Sequence, residues 1–203
     1  SGKSTQATDT IVADSFNLAA RAETELAGLG VGQMSDVEED PDEWLPDLTT
    51  FNDSEGKWAD YVEVIYELFK NDFIDSQPQF DGKWVRCRKD PIYDGKFAGF
   101  WHCISDGKDE EERIPDFRRC ERISWIRPII ENAISRDDTD VWKNQRGSNT
   151  NVLIWYDEYL LVVLGERTRR RDGFQYLQLI TAYTTEKEHR KRKLQRERDE
   201  YQP

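Results

Sequence analysis

Two short stretches of the chain hold the side chains best suited to chemistry. The first is centred on His102, in an aromatic-rich run, and the second contains Thr181 and Tyr183. Four arginines follow the histidine, namely Arg113, Arg118, Arg119 and Arg122. Histidine titrates near neutral pH and transfers protons, while arginine, threonine and tyrosine stabilise the charge that develops on a phosphate under attack. Cleavage of a phosphodiester without a metal ion requires groups of these types.

Other side chains could hold a substrate close to these groups. Trp101 adjoins His102, and Arg169 and Arg170 lie in a loop between two predicted core strands. Together with Arg119, these three residues are the candidates for substrate binding. A plainer interpretation stays open, because most single histidines are structural or simply exposed. On that interpretation His102 is a half-buried core residue beside ordinary surface arginines.

The composition is that of a protein with one domain and an appendage. The chain has 203 residues, of which 36% are hydrophobic and 12% aromatic, enough for one aromatic-rich core. No apolar run approaches the length of a membrane span or of a signal peptide. The three cysteines are far apart, so a disulfide framework or a structural zinc site is not expected. These features predict a cytoplasmic protein with no membrane partner.

The negative charge is concentrated in the first third of the chain. Residues 1–60 contain fourteen acidic and three basic residues, a net charge of −11, whereas residues 61–203 carry a net charge of −1. A nucleic-acid-binding protein normally has a basic face. This chain can have one only locally, and its own acidic segment could compete for it.

The acidic third divides into two predicted segments. Residues 8–28 have the apolar spacing of a helix that ends at a glycine cluster, so residues 1–33 form a helical N-terminal segment. Met34 is the only methionine and precedes a sequence typical of a translation start, so residues 1–33 are either joined to a protein that begins there or native to the chain. Residues 34–56 are acidic, contain prolines and are predicted to be an extended linker.

The pattern becomes globular from residue 57, and residues 57–185 are predicted to form one domain. Apolar residues at helical spacing predict an amphipathic helix over 57–74. Alternation predicts strands over 83–88 and 97–104, and the second strand would place His102 on one face with Phe100 and Ile104. A helix is expected to begin at Pro115-Asp116, and Pro128 should kink it or start a second short helix.

The end of this domain reads as three strands and a charged helix. Residues 152–156 and 159–164 flank Asp157-Glu158, which predicts a hairpin, and the apolar 160–164 run should be a central strand. Residues 174–184 form the last strand, with Leu177, Leu179, Thr181 and Tyr183 expected on one face. The segment 186–203 is almost wholly charged and has the i,i+4 ion pairs of an exposed helix.

Metal and cofactor chemistry has little basis in the sequence. The chain has two histidines, and neither has a carboxylate at ligand spacing, which argues against a catalytic transition metal. Ser1-Gly2-Lys3-Ser4 is only a fragment of a P-loop. The acidic run at 106–112 fits a solvated loop or a site for a hard cation. We therefore expect neither a metal nor a cofactor.

The order of these features resembles the barnase/EndoU/colicin/RelE-like superfamily of metal-independent ribonucleases, in particular its phage-associated branch. Helices followed by a sheet, an early histidine, arginines in the next helix and a final Leu-Ile-Thr-Ala-Tyr strand carry the resemblance, over about residues 80–185. It implies that His102 is the acid/base, that Arg118 or Arg122 contacts the phosphate, and that Thr181 and Tyr183 complete the catalytic site. It also implies an RNA substrate and a neutralising, antitoxin-like protein or segment.

The sequence therefore predicts an α+β fold, with helices packed on a curled antiparallel sheet and an acidic helical N-terminal extension. The expected function is a toxin-like endoribonuclease in which the RNA 2′-hydroxyl attacks its own phosphate. One alternative is a non-catalytic phage-defence or immunity protein, or one whose acidic region mimics nucleic acid. Another is a structural domain with a charged tail. The test is whether His102, an arginine and Thr181 or Tyr183 converge.

Overall fold

The computed structural model describes residues 44–54, 56–107 and 113–201. The helices are α1 (Trp58–Lys70), α2 (Ala98–Ile104), α3 (Phe117–Glu121), α4 (Ile126–Asn132) and α5 (Glu188–Asp199). The six strands of the main sheet are β1 (Gln79–Phe80), β2 (Lys83–Cys87), β7 (Thr139–Arg146), β8 (Asn149–Tyr156), β9 (Leu160–Thr168) and β10 (Gln175–Thr184). The two-residue strands are β3 (Ile92–Tyr93), β4 (Lys96–Phe97), β5 (Ser105–Asp106) and β6 (Ile114–Pro115). The predicted N-terminal helix over 8–28 lies outside the described residues.

The helical elements before the sheet follow the apolar spacing of their sequences. Helix α1 buries Trp58, Tyr61, Val62, Ile65 and Phe69 on one face, as predicted for residues 57–74, and a π-helical turn at Asn71–Asp75 extends it. Asp116 caps α3 by accepting a hydrogen bond from the backbone N–H of Arg118 at 3.0 Å. Helix α4 begins two residues before Pro128, which the first turn of a helix tolerates.

The sheet has the strand order β1-β2-β10-β9-β8-β7. Strands β8, β9 and β10 confirm the three predicted strands and pair antiparallel, and β7, which was not predicted, adds a fourth antiparallel strand beside β8. Strand β2 instead pairs parallel with β10, from Val85 opposite Leu177 to Cys87 opposite Leu179, so the prediction of a purely antiparallel sheet is wrong at this edge. Parallel pairing needs a long connection, and the helices and the meander between the two strands provide it.

The hairpin between β8 and β9 is confirmed, with a hydrogen bond of 2.8 Å from the Tyr159 N–H to the Tyr156 carbonyl, and strand pairing resumes one residue later than predicted, with Tyr156 opposite Leu160. Asp157 and Glu158 have φ values of 47° and 50°, the left-handed conformation that a type I′ turn requires at both central positions. Strand β9 lies between β10 and β8, and its first three residues, Leu160 to Val162, are fully buried. The apolar run thus forms a central strand that is covered on both faces.

The sheet separates two apolar clusters. Helices α1 to α4 cover one face, where Val152, Ile154, Val162, Leu164 and Leu177 belong to the main core. Helix α5 covers part of the other face, where its buried Leu194 joins a small cluster around two tryptophans, Trp142 and Trp155. The charged C-terminal segment is therefore a helix, as predicted, but one that docks on the sheet. Among the described residues, no helix is both long and apolar enough to cross a lipid bilayer.

The segment that contains His102 is helical, so the strand predicted over 97–104 is wrong. In α2 every residue except His102 is buried. A helix that is apolar on all sides loses the 3.6-residue pattern, and a short apolar run cannot be distinguished from a strand by periodicity. The expected shared face of Phe100, His102 and Ile104 does not exist for the same reason.

The last strand contains a bulge that the alternation did not predict. The register of β10 against β9 shifts between Leu179 and Thr181. After the shift, Ala182 belongs to the main core with Leu177 and Leu179, whereas Tyr183 packs against the cluster on the α5 side. The prediction that Leu177, Leu179, Thr181 and Tyr183 share one face is therefore wrong.

Candidate active site beside the second half of β10

Helix α2 contacts β10 at residues that follow the part of β10 paired with β2. That pairing stops at Leu179. The Thr181 hydroxyl donates a hydrogen bond of 2.8 Å to the carbonyl oxygen of His102, and the Cys103 thiol interacts with the backbone of Ala182. These contacts hold the C-terminal end of α2 against the strand, so His102 and Thr181 are neighbours although they are far apart in sequence.

The ring of His102 is partly exposed and contacts an arginine. Its Nδ1 atom lies 3.3 Å from Nη2 of Arg113, which is in the loop before β6. An arginine can only donate hydrogen bonds, so Nδ1 acts as the acceptor and the proton of a neutral ring is then on Nε2. This assignment rests on the hydrogen bond and gives His102 a defined tautomer.

Arg119, in α3, is held on several sides. Its side chain is buried, and Nη1 donates to the carbonyl oxygen of Ser105 at 2.7 Å. Its Nε is 3.3 Å from a carboxylate oxygen of Asp116, and its Nη2 is 3.4 Å from one of Asp106. The charge of Arg119 is therefore largely compensated, and its position is fixed.

Two arginines form cation–π contacts with the ring of Tyr183. The guanidinium of Arg119 is 5.4 Å from the ring centroid, and that of Arg190 on α5 is 5.2 Å from it. Burial raises the pKa of the Tyr183 hydroxyl, and the nearby arginines oppose that shift. The phenol stays protonated at neutral pH and can donate a hydrogen bond.

Arg118, in α3, and Arg122, which follows the last residue of α3, have different surroundings. Arg118 is exposed and forms an ion pair with Glu186. Arg122 is only 2% exposed, 3.3 Å from a carboxylate oxygen of Glu121, and its guanidinium lies 5.3 Å from the Trp125 ring and 5.2 Å from the Tyr159 ring. Arg122 thus packs between the helices and the sheet, and Arg119 is the arginine of this group that adjoins Tyr183.

The predicted substrate-binding residues Trp101, Arg169 and Arg170 are not part of this group. Trp101 is a core residue whose indole N–H donates to the carbonyl of Tyr93 at 2.9 Å. Arg169 and Arg170 are in the loop before β10, and Arg169 pairs with Asp172. From the start of β10 to Thr181 is about 20 Å at the usual rise of a strand, so this loop belongs to the other end of the sheet.

Two residues of the cluster were missed as site residues. Arg113 was noted in the arginine series without a role, and Arg190 was one charge within the basic C-terminal segment. The structure brings both to the group, Arg113 through His102 and Arg190 through Tyr183. Nothing in the local spacing of either arginine distinguishes it from its charged neighbours.

The cysteines near the group are not nucleophiles at neutral pH. Burial raises the pKa of the Cys103 thiol to about 12 and that of Cys87 to about 11, and a thiol that stays protonated is a poor nucleophile. Within the described ranges, no three His, Cys, Asp or Glu side chains are grouped so that they could hold a metal ion. The chemical capacity of the cluster is thus proton transfer, hydrogen-bond donation and positive charge.

Comparison with known proteins gives no family assignment. No protein-family model matches the chain, and searches of curated proteins and of solved structures find no significant match.

Proposed function

We propose that this chain is a metal-independent, toxin-like endoribonuclease whose active site is the cluster of His102, Arg113, Thr181 and Tyr183, positioned by Arg119. The observation that carries the proposal is the contact of the His102 ring with Arg113, on a helix that the Thr181 hydroxyl holds to β10 through the carbonyl of His102. It brings an imidazole, which can transfer protons, together with a cation, and acid–base cleavage of a phosphodiester needs both.

The proposed reaction is an internal transfer at phosphorus. The RNA 2′-oxygen forms a bond to phosphorus while the bond to the 5′-oxygen breaks, giving a 2′,3′-cyclic phosphate and a 5′-hydroxyl end. His102 accepts the proton of the 2′-hydroxyl, and the resulting imidazolium returns a proton to the 5′-oxygen. Atoms and charge balance without any co-reactant.

Arg113 has two roles in this scheme. In the unliganded chain it donates to Nδ1 of His102, which prevents that nitrogen from acting as a base. A hydrogen bond from arginine to a phosphate oxygen is charge-assisted and stronger than one to a neutral imidazole. An arriving phosphate would therefore draw Arg113 away from His102, which releases Nδ1 for proton transfer. Arg113 would then stabilise the charge that develops on the phosphate.

Arg119 acts as a positioning residue. Its guanidinium is fixed by the Ser105 carbonyl and two carboxylates, so little of its charge is available to a substrate. It holds the ring of Tyr183, whose hydroxyl would donate to a phosphate oxygen, while the Thr181 hydroxyl keeps its hydrogen bond to the His102 carbonyl and positions the helix.

The reaction can be tested by its dependence on the 2′-hydroxyl and by its products. A single-stranded RNA should be cleaved in excess EDTA, and the products should end in a cyclic phosphate and a 5′-hydroxyl. The same oligonucleotide with 2′-O-methyl groups should remain intact, because its nucleophile is blocked. Cleavage of the blocked oligonucleotide, or loss of cleavage on chelation, would refute the proposed mechanism.

A non-catalytic function is the second candidate, and the internal pairing of the arginines favours it. Arg118 pairs with Glu186, and Arg119 with Asp106 and Asp116, so part of the positive charge is already neutralised. Such a protein would bind a nucleic acid or an immunity-type partner without changing it. Binding of RNA with no cleavage under any of these conditions would support this function over the ribonuclease.

A neutralising partner is also part of the proposal. The net charge of −11 in residues 1–60 would suit a segment that competes with RNA phosphates for the basic surface, and a separate antitoxin-like protein could do the same. A tethered competitor acts at an effective concentration on the order of millimolar.

A further inference from the structure

The face of the sheet that carries α5 is only partly covered by it. Helix α5 docks over the β7 to β9 side, through Leu194 and a hydrogen bond from the Trp142 indole to Glu197. Val85 and Leu177 point into the main core on the opposite side, so Trp84 and Tyr176, their neighbours in sequence, face the same way as α5. Trp84 is 40% exposed. The edge of this face at β2 and the start of β10 is thus open to solvent.

Arg86 lies on this open part and is incompletely paired. Its guanidinium is 5.3 Å from the ring centroid of Tyr176 and 5.6 Å from that of Phe174. Its Nε atom is buried and has no hydrogen-bond partner within the described residues. A buried donor without an acceptor is unfavourable, and no carboxylate of the described residues pairs with this guanidinium, so the positive charge of Arg86 is not compensated by the part of the chain that the structure describes.

A cleft of about 460 Å³ adjoins Arg86. Three cationic residues line it, Arg86, Arg88 and Lys89, against a single carboxylate, Asp90. Arg88 donates to the backbone carbonyl of Asp90 at 2.7 Å, and none of the three cations forms an ion pair within the part of the chain that the structure describes. The volume is within the usual range for a ligand site, roughly 300–1,000 Å³, and the charge favours an anion.

One residue of the cleft contacts the helix that carries His102. The backbone N–H of Gly99, at the start of α2, donates to the carbonyl of Arg88 at 2.8 Å. The approach is so close that a Cβ at Gly99 would lie 2.9 Å from the Arg88 backbone, which explains the glycine. His102 is three residues further along the helix, a rise of about 4.5 Å. The helix that carries His102 therefore begins against the backbone of a cleft residue.

We propose that the cleft and the exposed ring of Trp84 bind single-stranded RNA, with backbone phosphates on Arg86, Arg88 and Lys89 and a base stacked on that ring. The identification of the ligand as RNA rests on the proposed ribonuclease function. Cations that follow a backbone and aromatic rings that accept bases are the two requirements for single-strand binding. A duplex hides its base faces, so it cannot use the ring of Trp84.

Binding can be measured without cleavage. A fluorescein-labelled 2′-O-methyl oligonucleotide keeps the phosphates and bases but has no free 2′-hydroxyl, so it tests the cleft even if no ribonuclease activity exists. The variant Arg88→Gln/Lys89→Gln is compared with Arg192→Gln/Lys193→Gln, which removes the same charge from exposed positions of α5. Fluorescence anisotropy over a series of salt concentrations gives both the affinity and its salt dependence.

We expect the cleft pair to weaken binding at least about tenfold. The slope of log K against log salt should decrease by about 1.4, or about 0.7 for each phosphate that the variant no longer neutralises. The control pair should change affinity about twofold or less, as expected for screened charges far from the ligand. Trp84→Ala should weaken binding by about tenfold, the typical effect of removing the ring on which one base stacks.

Four results would overturn the proposal: no binding by the unmodified chain, equal losses in the two charge pairs, unchanged affinity for Trp84→Ala, or a duplex bound as tightly as the single strand. A chain that binds as described but does not cleave unmodified RNA refutes the proposed function and leaves the single-strand site standing. If the unmodified chain cleaves RNA but the two double variants bind the oligonucleotide equally well, only the assignment of the cleft as the binding site is refuted.

Discussion

Arg86 and Arg119 each lie over a tyrosine ring of β10, yet their surroundings differ. Arg86 stacks near Tyr176 before the bulge of β10, and Arg119 stacks near Tyr183 after it. Neither Nε atom has a hydrogen bond, but that of Arg119 is 3.3 Å from a carboxylate oxygen of Asp116. Arg86 has no carboxylate within ion-pair distance among the described residues. One arginine is therefore a structural support, and the other has binding capacity left.

The number of arginines in a region does not identify a phosphate site. The hydrogen-bond and ion-pair partners of each guanidinium determine whether it can bind a further anion. Where the chain itself supplies the acceptors, as at Arg119, the arginine positions neighbouring residues and has little charge left for a ligand. Where it leaves a donor without an acceptor and opens a cleft, as at Arg86, the charge can recruit a ligand.

The largest expected difference between the two regions concerns the tyrosine hydroxyls. Tyr183→Phe should lower RNA cleavage by about a hundredfold, because it removes a hydrogen-bond donor to the phosphate. Tyr176→Phe is the matched control, since only its ring is assigned a role, and it should leave the cleavage rate within about twofold. Single-turnover rates on one RNA measure both. Equal rates for the two variants would remove Tyr183 from the active site.

The second difference concerns stability. Arg119→Met should lower the free energy of unfolding by about 2 kcal/mol, because the buried Ser105 carbonyl loses its donor. Arg86→Met removes a donor that is already unpaired and gives up only its ring contacts, so the change should be within about 1 kcal/mol. Urea unfolding of the two variants provides the comparison. A larger loss at Arg86 than at Arg119 would reverse the roles assigned here.

A smaller effect is expected when charge is kept but shape is changed. Arg86→Lys should weaken binding of the single-stranded oligonucleotide by about threefold to tenfold, because lysine cannot provide a planar fork or stack on the two rings. The salt dependence should stay the same, since the number of charges does not change. If the lysine variant bound as tightly as the unmodified chain, Arg86 would act only as a point charge.

The smallest effect concerns the acidic N-terminal region. Deletion of residues 1–43, which contain ten of the fourteen acidic residues of the N-terminal third, should raise the affinity for the oligonucleotide by a fewfold at low salt and by less at high salt, because salt screens the competing carboxylates. The effect should be lost in Arg88→Gln/Lys89→Gln, which lacks the charges for which the acidic residues compete. An equal effect of the deletion in both backgrounds would show that the segment does not act at the cleft.

Much of the scaffold could be predicted because it depends on local signals. The face of Trp58, Tyr61 and Ile65 has the period of a helix, and the Asp157-Glu158 pair between apolar runs predicts a two-residue hairpin. Both appear in the structure. The proximity of the first histidine to Thr181 was also a sequence-based expectation, although it was based on the wrong element type for residues 97–104.

The site could not be predicted in detail because its geometry comes from distant contacts. Periodicity could not show that α2 is buried on nearly every side, nor that one extra residue in β10 would turn Tyr183 to the other face. The spacing of Arg118, Arg119 and Arg122 placed them close together. Only the tertiary packing reveals that Arg119 alone of the three adjoins Tyr183.

The most direct test of the account compares the two histidines of the chain. His102 contacts Arg113 and Thr181, whereas His189 is exposed near the start of α5. With single-stranded RNA in EDTA, His102→Ala should lower the single-turnover cleavage rate by about 10²–10⁴, the usual contribution of a general acid–base group, and keep the circular dichroism spectrum of the unmodified chain. His189→Ala should cleave at the unmodified rate. A folded His102→Ala variant that cleaves as fast as His189→Ala would contradict the account.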